Sequence, residues 1–270
     1  MIVDYHMHVR DRDEDEPGGR YVVDRLELYV EQARRAGVDE IGITDHGYHF
    51  RQGEAVWDLP WMQERWGDDL DEYVATVEEG KRRGLPVKLG LEVDFVRGRV
   101  EELAAVLEPY PWDYVLGSVH FVDGQSVDMD PSFADEAGWR AYFAMLTEAA
   151  SSGLFDVLSH PDLVKFFGRR PEPSLVDELH DAAAAAIAKS GVCVEVSAAG
   201  LHKPVGEVYP DLALLRRCHD AAVPITLASD AHEPEHVGRD LDRAVEHARA
   251  AGYETVTVFE GRRRRQEPLG

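Results

Sequence analysis

The chain has 270 residues and a formal net charge of −23, because 29 Lys and Arg stand against 52 Asp and Glu. Its 44% hydrophobic content is too high for a disordered chain and allows a substantial core. The negative charge repels nucleic-acid phosphates and anionic membrane surfaces, so we expect neither as a partner. Cys193 and Cys218 are too few for a disulfide framework and are expected in the core. The sequence shows no leader pattern and no apolar run of bilayer length, which predicts a cytoplasmic protein.

Short β-branched apolar runs alternate with longer amphipathic stretches, which is typical of βα units around a parallel sheet. The predicted strands are 2–6, 40–44, 87–92, 114–120, 155–160, 192–196 and 225–229, with 254–259 as an eighth strand or a closing edge. The predicted helices are 22–36, 70–83, 100–107, 134–152, 175–190, 212–221 and 241–250. No linker or repeat interrupts this series, so we expect one domain over residues 1–270, with 261–270 as a flexible, solvated tail.

Side chains of the metal-ligand type stand at the carboxyl end of every predicted strand. The strand ends read Asp4-Tyr5-His6-Met7-His8, Thr44-Asp45-His46, Leu91-Glu92-Val93-Asp94, Ser118-Val119-His120, Ser159-His160-Pro161-Asp162, Glu195-Val196-Ser197 and Ser229-Asp230-Ala231-His232. His6 and His8 are two residues apart on an extended segment, so both point to the same side. In a barrel these strand ends converge on one mouth, where barrel enzymes keep their active sites.

Imidazoles and carboxylates at one mouth predict a metal centre. The candidate ligands are His6, His8, His46, Glu92, His120, His160, Asp230 and His232. Each ion takes about three or four protein ligands, so this set is large enough for two or three divalent ions. A donor set of imidazole and carboxylate without thiolate suits Zn, Mn or Fe.

The order of these motifs resembles the PHP (polymerase and histidinol phosphatase) superfamily over nearly the whole chain, from His6 to Gly238. The motifs that carry the resemblance are His-x-His, Thr-Asp-His, Gly-x-Glu, Gly-Ser-x-His, Ser-His-Pro-Asp and Ser-Asp-Ala-His. The stretches GLHKPVGEVYP at 200–210 and PITLASDAH at 224–232 are most similar to the histidinol phosphatase branch.

The resemblance implies a distorted (β/α)7 TIM-like barrel with a trinuclear centre at its C-terminal mouth. The implied ligands of the first metal are His6, His8, Glu92 and Asp230, and those of the second are the bridging Glu92, His120 and His160. The third metal would be held by His46, His232 and an acidic or His residue shortly after the first motif. We expect Glu14 in that place, although Asp13 and Asp15 stand beside it and the acidic run also reads as a solvated loop.

The expected reaction is hydrolysis of a small phosphate monoester, which the resemblance identifies as L-histidinol phosphate. A metal-bridging hydroxide would attack the phosphorus atom, with catalysis dependent on Glu92, Asp230, His232 and Asp162. The alternatives are a PHP phosphoesterase of sugar or nucleotide phosphates, and a C–N hydrolase similar to the amidohydrolases. A proofreading exonuclease would need a basic groove, which a charge of −23 does not readily supply.

Several residues outside the ligand set are candidates for substrate binding. Lys165, Arg169 and Lys203 follow ligand-bearing strands and, with His202, would hold phosphate, unless they are only surface charges. The branch usually has Asn-Thr-Ser/Ala-Gly-Leu-Arg-Lys where this chain has SAAGLHK at 197–203, which weakens the substrate assignment. Asp45 and Asp162 are expected to orient neighbouring imidazoles or to cap turns. Trp57, Trp61 and Trp66 predict either a lid or a separate hydrophobic cluster.

Overall fold

Short parallel strands alternate with helices in the structure, a computed structural model that describes residues 1–11 and 18–270. The strands are β1 Val3–Asp4, β2 Glu40–Ile43, β3 Val87–Leu89, β4 Glu92–Asp94, β5 Leu116–Ser118, β6 Phe121–Val122, β7 Gln125–Ser126, β8 Val157–Leu158, β9 Cys193–Ser197, β10 Ile225–Ala228, β11 Thr255–Glu260 and β12 Arg263–Pro268. The α-helices are α1 Val23–Ala36, α2 Pro60–Gln63, α3 Leu70–Arg82, α4 Val100–Leu107, α5 Glu136–Ser151, α6 Pro173–Ser190, α7 Leu212–Asp220 and α8 Leu241–Ala251.

Two parallel sheets form the centre of the molecule, which confirms the predicted α/β fold. Their strand orders are β1-β2-β3 and β10-β9-β8-β5-β4. Backbone hydrogen bonds connect the sheets at two places: Tyr5 N donates to Leu227 O at 2.9 Å, and Glu92 N donates to Asp45 O at 3.1 Å. The carboxyl ends of strands from both sheets therefore come together.

The segment predicted as one strand over 87–92 is two strands in different sheets. β3 pairs with β2, whereas β4 pairs with β5. Gly90 lies between them, where an added Cβ would stand 2.7 Å from Thr44 Cγ2 and 3.0 Å from the Tyr114 ring. Only glycine fits this close approach, so the chain passes from one sheet to the other here and places Glu92 where both sheets meet.

The predicted helices agree with the structure to within two residues at each end. Their buried faces pack on the sheets, as with Leu26 and Tyr29 of α1, and α1 ends at Gly37 in the left-handed conformation that glycine favours. Cys193 and Cys218 are buried, as expected. Among the described residues, every helix is too short or too polar to pass through a bilayer.

The expectation of a flexible tail at 261–270 is wrong. Strand β12 pairs antiparallel with β11 along its whole length, from Thr255 opposite Pro268 to Glu260 opposite Arg263. The structure therefore uses this basic run as the outer strand of a hairpin. The β6–β7 hairpin and the short helix α2 were also not predicted.

Candidate active site

The carboxylate of Glu92 lies at the centre of the predicted ligands. Its Oε2 atom is 2.7 Å from His46 Nδ1, 3.2 Å from His6 Nε2 and 3.7 Å from His8 Nε2. Asp230 lies on the same side of the site, with its Oδ1 atom 3.4 Å from His8 Nε2 and 3.7 Å from His6 Nε2. Residues that follow β1, β2 and β10 thus gather around the Glu92 carboxylate of β4.

The other oxygen of Glu92 faces a second pair of histidines. Its Oε1 atom is 3.1 Å from His160 Nε2 and 3.6 Å from His120 Nε2. Ser118 Oγ donates a hydrogen bond to the same Oε1 atom at 2.6 Å, which fixes the carboxylate. One carboxylate therefore faces histidines on two sides, as a ligand that bridges two ions would.

The spacing of these atoms fits a divalent cation. Metal–ligand bonds of about 2.0–2.1 Å in a tetrahedral site place the ligand atoms ~3.3 Å apart, close to the distances above. Three groups have ligand atoms that all lie within 4.8 Å of one another: His8, His46 and His232; His6, His8 and Glu92; and His46, Glu92 and His120. Among the described residues, buried His6 Nε2 and Glu92 Oε2 have no hydrogen-bond partner, a costly arrangement that a bound cation would relieve.

Charges within the site favour the ligand forms of two groups. Burial, together with the neighbouring His46 and His232, lowers the pKa of His8 to about 3, so this imidazole is neutral at physiological pH. Burial acts to raise the pKa of Glu92, but His6 and His46 outweigh it and hold that pKa well below its ordinary value. A neutral imidazole and an ionised carboxylate are the forms that bind metals.

Two carboxylates that sequence reasoning did not select orient the imidazoles. Glu195 Oε2 lies 2.8 Å from His6 Nδ1, and its Oε1 atom accepts a hydrogen bond from the His160 backbone N–H at 3.1 Å. Asp94 Oδ1 lies 2.9 Å from His120 Nδ1. Such partners fix the tautomer and the direction of a ligating imidazole. The available signal was the position of both acids at the carboxyl ends of predicted strands, Glu195 within 192–196 and Asp94 just after 87–92.

The sequence predicted that Asp45 and Asp162 orient neighbouring imidazoles. In the structure both carboxylates have other partners. Asp45 accepts hydrogen bonds from the backbone N–H groups of Val9, at 3.1 Å, and Arg10, at 3.2 Å. It therefore positions the segment that follows His8 through the backbone. Asp162 is fully buried and accepts a hydrogen bond from the Asp211 N–H at 2.7 Å, which ties two loops together.

Lys165 is buried, contrary to the expectation of a phosphate-binding side chain open to substrate. Its Nζ atom donates to Val208 O at 2.8 Å and lies 3.0 Å from Asp162 Oδ2 and 3.4 Å from Glu207 Oε2. A charge that leaves water needs such partners, and Lys165 has them within the protein. The structure therefore gives Lys165 a role in holding the 203–209 loop.

The other expected phosphate-binding residues are more exposed. Lys203 lines the cavity that opens above the candidate ligands. Arg169 is exposed and lies outside that lining, while His202 Nε2 lies 2.6 Å from Asp240 Oδ2. Of the four predicted phosphate-binding residues, Lys203 is therefore the one that lies in the same cavity as the metal ligands. Glu14, with the alternatives Asp13 and Asp15, lies outside the described residues.

The mouth cavity, as we call this space above the ligands, has a volume of about 500 Å³. Its lining is His46, Tyr48, Trp61, Arg65, Glu92, His120, Phe121, Gly124, Ser126, Asp128, Met129, Lys203, Asp230 and His232. Trp61 contributes to this wall, whereas Trp57 is buried and donates to Asp94 O at 3.0 Å, and Trp66 is half-buried. Larger cavities of about 830 and 590 Å³ share no lining residue with it.

The sequence of this chain matches the model of a known protein family. Residues 22–199 match the PHP domain model, and the chain belongs to this family.

Full-length relatives are similar over most of the chain. A Deinococcus radiodurans protein named "Probable histidinol-phosphatase" is 36% identical over 250 residues, which cover 89% of this chain and 91% of that protein. The Bacillus subtilis "Histidinol-phosphatase" is 26% identical over 245 residues, covering 80% of this chain and 90% of the relative.

A solved structure shows the same fold. It is the histidinol phosphate phosphatase of Lactococcus lactis, crystallised with zinc, L-histidinol and phosphate. The two structures superpose with a TM-score of 0.77 over 98% of each chain at 20% sequence identity.

Proposed function

We propose that this protein is a metal-dependent phosphatase that hydrolyses L-histidinol phosphate to histidinol and phosphate. The observation that carries the proposal is the carboxylate of Glu92, which faces imidazoles on both sides at the floor of an open cavity. The 36% identity to a relative named for this activity supports the choice of substrate.

We also infer that the two sheets close into a distorted (β/α)7 barrel whose C-terminal mouth holds the metal centre. The support is the pair of backbone contacts between the sheets, near Tyr5 and near Glu92. In such a barrel the ligand-bearing strand ends would surround one opening. One domain over residues 1–270, a cytoplasmic location and the lack of a nucleic-acid partner stay predictions.

The distances support a distribution of ligands over three ions. The first ion would be held by His6, His8, Glu92 and Asp230, and the second by Glu92, His120 and His160. The third would use His46 and His232, together with Glu14 or one of its acidic neighbours. His8 and His232 have ring centroids 4.3 Å apart, so neighbouring ions would share a compact site.

Bound divalent ions would lower the pKa of water to give hydroxide near neutral pH and would neutralise phosphoryl oxygens. The chain's own residues prepare the site for this chemistry. Glu195 and Asp94 hold His6 and His120 in the orientation that directs Nε2 inward. Lys203 adds a positive charge to the cavity wall, where it would attract the phosphate group of the substrate.

The test is a panel of phosphate monoesters offered to the metal-loaded protein: L-histidinol phosphate, sugar phosphates and nucleotides. We expect kcat/KM to be highest for L-histidinol phosphate. Glu92→Gln should lower turnover by roughly a thousandfold, because a weakened bridging ligand costs several kcal/mol of transition-state stabilisation. Equal activity on every monoester, or near-native turnover in a folded E92Q variant, would overturn the proposal.

A further inference from the structure

The outer wall of the mouth cavity contains side chains that the proposed reaction at phosphorus does not use. They come from the segment 121–130, which includes the β6–β7 hairpin, and from the region around α2. These elements line the same cavity as the metal ligands, so they would face the part of a substrate that projects away from its phosphate. That part of the substrate is what separates one phosphate monoester from another.

Part of this wall is aromatic. The ring centroids of Trp61 and Phe121 are 4.8 Å apart, and those of Tyr48 and Trp61 are 5.3 Å apart. Beside them Met129 is 75% exposed, an unusual exposure for a large apolar side chain. Flat rings and a thioether offer a planar heterocycle good packing surfaces.

One acid is placed beside this aromatic wall. Among the described residues, Asp128 is the carboxylate that lines the mouth cavity in addition to Glu92 and Asp230. Ser126 Oγ donates a hydrogen bond to Asp128 Oδ1 at 2.7 Å, which holds the half-buried carboxylate in place. Since the cavity must also accept a phosphate, a carboxylate in its wall favours substrates that carry a positive group over those that do not.

L-histidinol phosphate has such a group. The carbon next to its phosphorylated hydroxymethyl group carries an ammonium, and an imidazole ring lies one carbon further. Sugar phosphates lack both features. A cavity of about 500 Å³ is in the range of sites that enclose small ligands.

We propose that Asp128 is a specificity-determining residue that pairs with the substrate ammonium, while Trp61 and Phe121 pack against the imidazole. This inference rests on the proposed function and assigns the recognition of the non-phosphorylated end of the substrate. A charge-assisted hydrogen bond of this kind changes kcat/KM by about 10- to 100-fold.

The experiment compares two substrates, L-histidinol phosphate and 3-(imidazol-4-yl)propyl phosphate, which lacks only the amino group. The metal-loaded wild type should prefer the amino substrate by about 10- to 100-fold in kcat/KM. Asp128→Asn should lose this preference through a lower value for the amino substrate, with less than about a threefold change for the analogue. Asp128→Glu, which keeps the charge, should retain part of the preference for the amino substrate.

Asp123→Asn is the matched control because it removes a charge from the same segment, 121–130. Asp123 lies outside the mouth cavity, and its Oδ1 atom is 3.3 Å from Arg97 Nη1. D123N should keep the wild-type preference. If the wild type hydrolyses the amino substrate but folded D128N keeps the preference, or loses activity on both substrates equally, only this inference fails. If the wild type does not hydrolyse L-histidinol phosphate, the proposed function fails and the inference fails with it.

Discussion

Glu195 connects two ligand-bearing positions through one buried carboxylate. It contacts the His6 ring and accepts a hydrogen bond from the backbone N–H of His160. Glu195→Gln should weaken metal binding by about 10- to 100-fold, because the imidazole loses the partner that fixes its tautomer and raises its basicity. Competition with a chelator of known affinity measures this loss.

Glu207→Gln serves as the control for E195Q, since Glu207 lies on the loop that follows β9 and pairs with Arg170 and Lys165 rather than with a ligand imidazole. This variant should bind metal as the wild type does. Unchanged metal affinity in a folded E195Q protein would contradict the role assigned to Glu195.

The histidine ligands were predictable from the sequence because each of them lies at or just after the end of a predicted strand. The direction of the longer side chains was not predictable. Lys165 follows His160 closely in sequence, yet its Nζ atom turns away to Val208 O and to Asp162. Likewise, the contact of Glu195 with His6 joins β9 to the segment after β1, which lies in the other sheet, and a local pattern does not contain this pairing.

At the scale of elements, the C-terminal hairpin ties distant parts of the chain together. Arg262 donates to Asp156 Oδ2 at 2.8 Å and to Leu154 O at 2.6 Å. Leu269 is buried, and Gly270 N donates to Met1 O at 3.1 Å. Strand β12 therefore contributes to stability at a place remote from the ligands.

Removal of residues 261–270 should lower the melting temperature by about 5 to 10 °C. The loss of Leu269 burial and of the strand pairing costs roughly 2–3 kcal/mol, and each kcal/mol shifts the Tm of a domain this size by about 2–4 °C. Differential scanning calorimetry measures the shift, and kcat/KM at 25 °C should stay close to the wild-type value. An unchanged Tm would show that the hairpin does not stabilise the fold.

Helices were more predictable than strands because their apolar periodicity is local. Strand β12 was missed because RRRQEP has no alternating apolar pattern, and its pairing depends on a two-residue turn. Gly261 and Arg262 both have positive φ, at 54° and 60°, as a tight hairpin turn requires. The break between β3 and β4 was missed because it depends on Tyr114, a residue distant in sequence that approaches Gly90.

At the scale of the whole molecule, the charge of −23 and a phosphate substrate are compatible only if the site itself attracts anions. Glu92 and Asp230 are acidic, but two or three divalent ions held beside them would make the mouth locally positive. Without the metal ions, the carboxylates of Glu92 and Asp230 would repel the phosphate that the mouth cavity has to bind.

The most direct test is a metal titration of the chelator-treated protein with L-histidinol phosphate as substrate. We predict no turnover in the metal-free state and a return of phosphate release as Zn²⁺ or Mn²⁺ is added, levelling off at about two or three equivalents per chain. Metal-free protein, verified by elemental analysis, that hydrolyses the substrate at the rate of the metal-loaded enzyme would contradict the account.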